Sequence, residues 1–168
     1  MSQARSSPAE AVGLFRSGAP SARCFAQPDA DFGARLAHAF KTALADGAQH
    51  PVLIGTDSPT LPSHLLSVAH GALATHDVVL GPADDGGYYL LGMNATHPAL
   101  FEGIAWSTDR ALTQTLERAR SAGLSVFLLP AWYDIDTGRD LERLASDPLL
   151  RTHTRGAIES RRLEEVSA

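Results

Sequence analysis

Short apolar runs alternate with longer stretches of helical periodicity along this chain. The clearest runs are Val52–Ile54, Val78–Gly81, Tyr88–Met93 and Ser125–Leu129, and each is bounded by Gly, Pro, Asp or a small polar residue. Such bounded runs are typical of strands buried in a sheet, and a further short strand is predicted at Arg23–Gln27. Because only a few residues separate the second run from the third, we expect these two strands to pair as a hairpin.

Segments with the period of an α-helix lie between these runs. Leu36, Phe40 and Leu44 recur at every fourth position and form one apolar stripe. Helices are predicted at Ala9–Arg16, from Phe32 or Gly33 to about Asp46, from Ser63 onward, from Trp106 to about Ala122 and at Asp140–Ala145, with a helical turn at Pro98–Phe101. We expect Asp29 or Asp31 to cap the helix that starts at Phe32 or Gly33, and Ser63 to cap the helix that follows it. Ser107 or Thr108 should cap the helix that starts near Trp106. Strands that alternate with helices indicate an α/β fold with a mostly parallel sheet.

The composition is that of one globular domain. The chain has 168 residues, of which 44% are hydrophobic and 20% charged, which is enough for a substantial core and too apolar for a disordered protein. We therefore expect a single domain over residues 1–168. Its core would span residues 9–145, and residues 1–8 and 146–168 would form flexible or helical ends.

Charge and cysteine content exclude several classes of protein. The net charge is −5 and there is no basic run, so we expect no nucleic-acid partner. No apolar stretch reaches the roughly 18 residues of a membrane span. Cys24 is the single cysteine, which excludes an intrachain disulfide framework and favours a reducing compartment. We expect a cytoplasmic protein.

Acidic side chains follow three of the predicted strands. Asp57 follows the first strand, Asp84 and Asp85 the second, and Asp134 and Asp136 lie beyond the last. If these strands are parallel, their carboxyl ends meet at one edge of the sheet, where α/β proteins bind ligands. Each pair of close carboxylates there would cost on the order of 1 kcal/mol near a surface, and a bound Mg²⁺ or Mn²⁺ would remove that cost. Asp57 could instead cap a turn or a helix.

Other residues near these loops each allow two interpretations. Gly86 and Gly87 could bring backbone N–H groups close to a ligand, or could form an ordinary hairpin turn. Trp106 could stack on a base or a sugar, or could anchor the core. Ser107 and Thr108 could bind a phosphate at a helix start, or could simply cap that helix.

Taken in order, five motifs resemble the DUF2064 family. They are Gln27 followed by DFGARL at residues 31–36, GTDSPTLP at 55–62, DVVLGPADDGGYYLLG at 77–92, LFEGIAWST at 100–108 and WYDIDTGRDLERL at 132–144. Together they cover roughly residues 10–145. Members of that family are glycosyltransferase-A-type proteins similar to nucleotide-diphospho-sugar transferases. The resemblance therefore implies a three-layer α/β/α sandwich that binds a nucleotide-activated donor with a divalent cation.

The resemblance also implies roles for individual residues. It makes Asp57, Asp134 and Asp136 metal ligands. We expect Asp57, Asp85 and Asp136 to be the catalytic residues, with Asp85 as the candidate base. The resemblance places Asp31, Gly33 and Arg35 near the nucleotide, and it lines the donor and acceptor cleft with Thr56, Asp84, Gly86, Gly87, Tyr88, Trp106, Ser107 and Thr108.

One departure from the family pattern concerns the start of the chain. Family members begin with an apolar strand and a loop of the form P-G-x-x-K-T-R-L, and this sequence has neither. We expect the sheet to lack about two strands and a helix there, and its exposed edge to invite pairing with a second copy. Arg35 and Arg110 are then the remaining candidates for neutralising donor phosphates.

The leading functional hypothesis is a metal-dependent glycosyltransferase that takes a nucleotide sugar and a small-molecule acceptor. A nucleotidylyltransferase that takes a nucleoside triphosphate and a phosphorylated small molecule uses the same features. A non-catalytic remnant acting as an interaction module and a metal-dependent hydrolase remain as alternatives.

Overall fold

The computed structural model describes residues 25–150, which form an α/β fold. Its strands are β1 (Val52–Ile54), β2 (Val78–Pro82), β3 (Tyr88–Met93) and β4 (Val126–Leu128), and its helices are α1 (Phe32–Ala45), α2 (Ser63–Ala72), α3 (Ala111–Ser121) and α4 (Gly138–Ser146), with a 3₁₀ turn at Pro98–Phe101. Residues 25–27 form no strand, so the predicted strand at Arg23–Gln27 is wrong for its described part. The predicted helix at Ala9–Arg16 lies outside the described residues.

The sheet is mixed, with strand order β1-β3-β2-β4. β3 runs antiparallel to both of its neighbours, whereas β2 and β4 are parallel. The hairpin predicted for β2 and β3 is confirmed, and the mostly parallel sheet is wrong. The physical reason is the connection at residues 83–87, which is too short to cross over and start a parallel strand. β1, β2 and β4 still point the same way, so their carboxyl ends share one edge.

Side chains of the sheet divide between two apolar clusters, one on each face. On one face Val78, Leu80, Leu91 and Met93 pack against Phe40 of α1, Leu100 of the 3₁₀ turn and Ala119 of α3. On the other face Val79, Tyr89 and Leu90 pack against Leu65, Ala69 and Leu73 of α2. This division follows from the alternation of side chains along a strand, except that the consecutive residues Tyr89 and Leu90 lie in one cluster, where the register between β2 and β3 shifts. Helices cover both faces of the central hairpin.

Two helix starts differ from the prediction. The Asp31 cap of α1 is confirmed, since Oδ1 of Asp31 accepts a hydrogen bond of 2.8 Å from the Ala34 N–H. Ser63, by contrast, is the first residue of α2, and its N-cap is Pro62 without any side-chain bond. α3 begins at Ala111 and not at Trp106, because Ser107 in the candidate site has a left-handed backbone conformation.

The outer side of β1 pairs with no other strand within residues 25–150. Ile54 at the end of this strand is 49% exposed. The homodimer predicted through this edge stays a prediction. No helix in the described part of the chain has the length and apolar character needed to cross a membrane.

Candidate functional site

Backbone hydrogen bonds join the three acidic loops at the carboxyl ends of β1, β2 and β4. The N–H of Asp84, after β2, donates to the carbonyl oxygen of Trp132 at 3.1 Å, and the N–H of Ile135 donates to that of Asp57 at 3.0 Å. The segment 132–135 thus lies between the other two loops and touches both. The predicted crowding of these loops at one edge is confirmed, although the sheet is mixed, because it requires only that β1, β2 and β4 share a direction.

Three carboxylates converge in these loops. Asp85, Asp134 and Asp136 each place one oxygen atom within 4.8 Å of the others. Burial raises the pKa of Asp134 above its ordinary value, and the charges of Asp85, Asp136 and Asp57 raise it further. Asp57 is thus close enough to act on Asp134 electrostatically, but it lies outside the group of three. The metal ligands implied by the resemblance included Asp57 and not Asp85, whereas the structure groups Asp85 with the other two.

This carboxylate group suits a hard divalent cation. It offers oxygen ligands alone, which Mg²⁺ and Mn²⁺ prefer, and it leaves coordination positions open for a substrate phosphate. Mutual repulsion among the three charges is the cost that such a cation would remove. The donor set therefore fits the cofactor expected from the sequence.

A cavity of about 510 Å³ adjoins the carboxylate group, and Asp134 lines it. Nine of the residues predicted from the sequence form part of its wall, namely Arg35, Thr56, Asp57, Gly87, Tyr88, Trp106, Ser107, Thr108 and Asp134. A cavity of this volume is in the range of small-molecule sites. The sequence thus identified most of the polar residues around one continuous space.

Trp106 forms an aromatic wall of this cavity. Its ring meets that of Phe32 edge to face at a centroid distance of 5.3 Å, and that of Tyr88 at 6.3 Å. A Cβ atom at Gly33 would lie 2.8 Å from Nε1 of Trp106 and 2.9 Å from the carbonyl oxygen of Phe101. Gly33 is therefore part of the packing that seats Trp106, and it does not line the cavity itself.

Ser107 explains why α3 begins later than predicted. Its φ of 59° is the one positive value at a non-glycine position among residues 25–150, and a helix cannot continue through a left-handed residue. The Thr108 hydroxyl donates to the Ala105 carbonyl oxygen at 2.7 Å and accepts from the Arg110 N–H at 3.3 Å. Thr108 thus stabilises a turn before the helix, while Ser107 is exposed at the cavity wall.

Arg35 supplies the positive charge in the cavity wall. One of its terminal nitrogens donates to Oε1 of Gln27 at 3.4 Å, and the guanidinium lies 5.6 Å from the centre of the Phe32 ring. Its Nε is buried and has no hydrogen-bond partner among residues 25–150. A bound acceptor atom or anion could satisfy this nitrogen.

The two tyrosines at the start of β3 lie on opposite faces, as their alternation predicts. Tyr89 packs with α2 and its hydroxyl donates to the Pro130 carbonyl oxygen at 3.0 Å. Tyr88 packs beside Trp106, and burial raises its pKa to about 12, although the Thr115 hydroxyl partly offsets this effect. Tyr88 therefore stays neutral at physiological pH and does not act as a base.

Six of the predicted site residues do not line the cavity. Asp85 and Asp136 belong to the carboxylate group, and the other four have structural contacts. They are Asp31, Gly33, Asp84 and Gly86. Asp84 forms an ion pair of 3.1 Å with Arg143 of α4. Gly86 has a φ of 89°, and a side chain there would collide with the backbone of Asp109, so this glycine allows the hairpin loop to dock on the start of α3.

Sequence reasoning missed the apolar part of the cavity wall. Phe32, Leu36 and Ala39 of α1 line the cavity together with Leu53 and Ile54 of β1. The available signal was helical spacing, because residues 32, 36 and 39 share one face of α1. Leu36 belongs both to this face and to the apolar stripe through Phe40, which the sequence indicated as core.

Comparisons with known proteins identify the family of this chain and a solved structure with a similar fold. Residues 4–108 match the sequence model of DUF2064, described as an uncharacterized protein family conserved in bacteria. The fold is similar to a crystal structure from Desulfovibrio desulfuricans G20 described as a "putative nucleotide-diphospho-sugar transferase". The sequence identity is 33% and the TM-score 0.83, over 94% of this chain and 71% of that one. A search among curated proteins gives no match.

Proposed function

The chain belongs to the DUF2064 family, and we propose that it transfers a group from a nucleotide-activated donor to a small-molecule acceptor in a metal-dependent reaction. The donor is a nucleotide sugar and the reaction is of the glycosyltransferase-A type. The likeness to the Desulfovibrio protein supports this proposal. A three-layer sandwich is part of the same proposal, and it is supported by helices packed on both faces of the hairpin.

The observation that carries the proposal is the position of Asp134. This residue belongs to the carboxylate group with Asp85 and Asp136, and it also lines the 510 Å³ cavity. A donor diphosphate next to the carboxylate group would therefore place the rest of the donor in the cavity. A group of acidic residues on an open surface would offer no such space.

Asp85, Asp134 and Asp136 would hold Mg²⁺ or Mn²⁺, which when bound would stabilise the charge on the leaving diphosphate. Asp85 is oriented for this role, because its Oδ1 accepts a hydrogen bond of 2.8 Å from the Gly87 N–H. This bond fixes the carboxylate relative to the hairpin loop. We assign Asp85 to metal binding on these grounds and not to proton transfer.

Asp57 is the candidate base. It is exposed, lines the cavity and lies outside the carboxylate group. In the proposed reaction its carboxylate accepts the proton of an acceptor hydroxyl. The acceptor oxygen then bonds to the anomeric carbon of the sugar, and the bond from that carbon to the diphosphate breaks.

Trp106 and Arg35 would position the donor. The indole offers a flat surface for a base or a sugar, and the Arg35 guanidinium offers donors to a phosphate or to an acceptor-rich base edge. Both side chains are half-buried, so each is held by protein on one side and faces the cavity on the other. Truncation of either should therefore weaken binding more than it weakens folding.

Calorimetric titration with nucleotides tests the proposal. The purified chain is titrated with UDP, GDP and CDP, and with GTP and CTP, each with and without Mn²⁺. We expect Mn²⁺-dependent binding of one base, weakened at least about tenfold in Asp134→Asn because a direct ligand is lost. Glu117→Gln, an exposed change on α3, should bind like the wild type.

The two nucleotide classes separate the two enzyme hypotheses. Preference for a diphosphate supports a glycosyltransferase, since the diphosphate is its leaving product, whereas preference for a triphosphate supports a nucleotidylyltransferase. A folded protein that binds no nucleotide in the presence of Mn²⁺ would contradict both and favour a non-catalytic role.

A further inference from the structure

Arg143 of α4 contacts two of the acidic loops without belonging to the cavity wall. One terminal nitrogen of its guanidinium lies 3.1 Å from Oδ2 of Asp84. Its central carbon lies 3.9 Å from the centre of the Tyr133 ring. The guanidinium thus bridges the hairpin loop after β2 and the segment after β4, and its planar shape suits both contacts at once.

Tyr133 extends this connection to the third loop. Its hydroxyl accepts a hydrogen bond of 3.0 Å from Thr60, which lies in the turn after β1. The same hydroxyl donates to Asp147, just beyond the end of α4. Tyr133 is only 6% exposed, so its ring is held firmly between the loops that it joins.

The residues that Arg143 contacts immediately precede two of the clustered carboxylates. Asp84 precedes Asp85, and Tyr133 precedes Asp134. Both contacts are made to side chains. Holding these side chains limits the movement of the attached backbone and so restricts where the next side chain can reach, because consecutive Cα atoms stay about 3.8 Å apart. The contacts of Arg143 therefore restrict the relative positions of two carboxylates that it does not touch.

α4 holds Arg143 in place from a fixed start. Thr137 and Asp140 form a capping box in which the Thr137 N–H donates to Oδ2 of Asp140 at 2.8 Å. Leu144, next to Arg143, is buried at 3% exposure. α4 begins two residues after Asp136. The fixed start of the helix therefore also restricts the position of Asp136, the third member of the carboxylate group.

We propose that Arg143 is a positioning residue that holds Asp85 beside Asp134 and so sets the affinity of the carboxylate group for its divalent cation. The predicted effect on cation affinity rests on the proposed metal-dependent function. The predicted ordering of the hairpin loop at residues 83–87 does not depend on any ligand.

Mn²⁺ binding and amide hydrogen exchange in Arg143→Met test the proposal together. Methionine keeps an unbranched apolar side chain and removes the charge and the planar group. We expect the Mn²⁺ dissociation constant, measured from the electron paramagnetic resonance signal of the free ion, to rise about 3- to 10-fold. A change of this size corresponds to the interaction free energy of partly exposed ion-pair and cation–π contacts. Amides of residues 83–87 should exchange faster, while the melting temperature stays close to that of the wild type.

Three further variants sharpen the test. Asp84→Asn should reproduce both effects, and the double variant should be no worse than either single variant, because the two changes remove one interaction. Arg143→Lys keeps the charge but cannot stack in the same way, so it should restore only part of the affinity. Arg139→Met, an exposed change in the first turn of α4, is the matched control and should change neither quantity.

The outcomes separate the proposal from the function on which it rests. Unchanged exchange at residues 83–87 in Arg143→Met would overturn the proposal, and so would faster exchange with an unchanged Mn²⁺ affinity. If the wild type itself binds no Mn²⁺, the metal-dependent function fails and the proposed consequence for cation affinity fails with it. Additive effects of Arg143→Met and Asp84→Asn would also contradict the bridging role.

Discussion

Replacing Gly33 by alanine should loosen the aromatic wall of the cavity. In a helix, alanine is ordinarily more stable than glycine by up to about 1 kcal/mol. At Gly33 the new Cβ would lie 2.8 Å from Nε1 of Trp106 and 2.9 Å from the carbonyl oxygen of Phe101. Both distances are shorter than real contacts of a methyl group, and the second atom belongs to the backbone, so the indole or α1 must shift.

The expected magnitude follows from these two opposing effects. Overpacking of a well-packed site costs about 1–3 kcal/mol, and the gain in helix propensity offsets part of that cost. We expect Gly33→Ala to lower the free energy of unfolding by about 1–2 kcal/mol, which corresponds to a melting temperature lower by about 2–8 °C for a domain of this size. The displaced indole should also weaken nucleotide binding several-fold.

Gly71→Ala is the matched control, because nothing lies within 4 Å of a Cβ atom at this position near the end of α2. It should stabilise the protein by up to about 1 kcal/mol. Chemical denaturation of both variants, followed by circular dichroism and by tryptophan fluorescence, measures the two free energies. Equal stabilisation by Gly33→Ala and Gly71→Ala, with unchanged nucleotide binding, would contradict the predicted clash at Gly33.

Three further predictions concern single residues. Ser107→Gly should relieve the strain of the left-handed conformation and preserve or slightly raise the melting temperature, and it should weaken substrate binding because the exposed hydroxyl is lost. A lower melting temperature would contradict the predicted strain. Hydrogen bonds from Ser125 hold the pKa of Asp77 below its ordinary value of 3.8, so this carboxylate stabilises the fold above that value and loses its effect as the pH falls below it. Asp77→Asn should therefore be less stable than the wild type at pH 7, and the difference should shrink in denaturation experiments toward pH 2; a constant difference would exclude this cause. Tyr88→Phe should leave the pH dependence of activity unchanged up to about pH 10, since burial already keeps this hydroxyl neutral. If the wild type lost activity at alkaline pH and the variant did not, Tyr88 would be ionising in that range and the prediction would be wrong.

The sequence predicted those elements whose signal is local. α1 and the strands β1 to β4 follow from periodicity and from bounding Gly, Pro and Asp residues, and the short connection at 83–87 was sufficient to predict the hairpin. The position of β3 between β1 and β2 was missed, because its pairing with β1 joins residues far apart in sequence. Local patterns carry no information on that pairing.

The site was predictable in its composition but not in its arrangement. Asp84 and Asp85 are equivalent in sequence, yet one pairs with Arg143 and the other joins the carboxylate group. Which of the two joins that group depends on the loop geometry and on Arg143 of α4, which lies 59 residues from Asp84 in sequence. The start of α3 was missed for a similar reason, because Ser107 adopts a backbone conformation that serine rarely takes.

Anomalous scattering from crystals grown with Mn²⁺ and the nucleoside diphosphate that binds best would locate the cation and the nucleotide in one experiment. We expect a manganese peak in coordination contact with Asp85, Asp134 and Asp136, with the diphosphate on the same ion and the nucleoside in the cavity beside Trp106. A peak at another site, or a nucleotide bound away from these carboxylates, would contradict the proposed function.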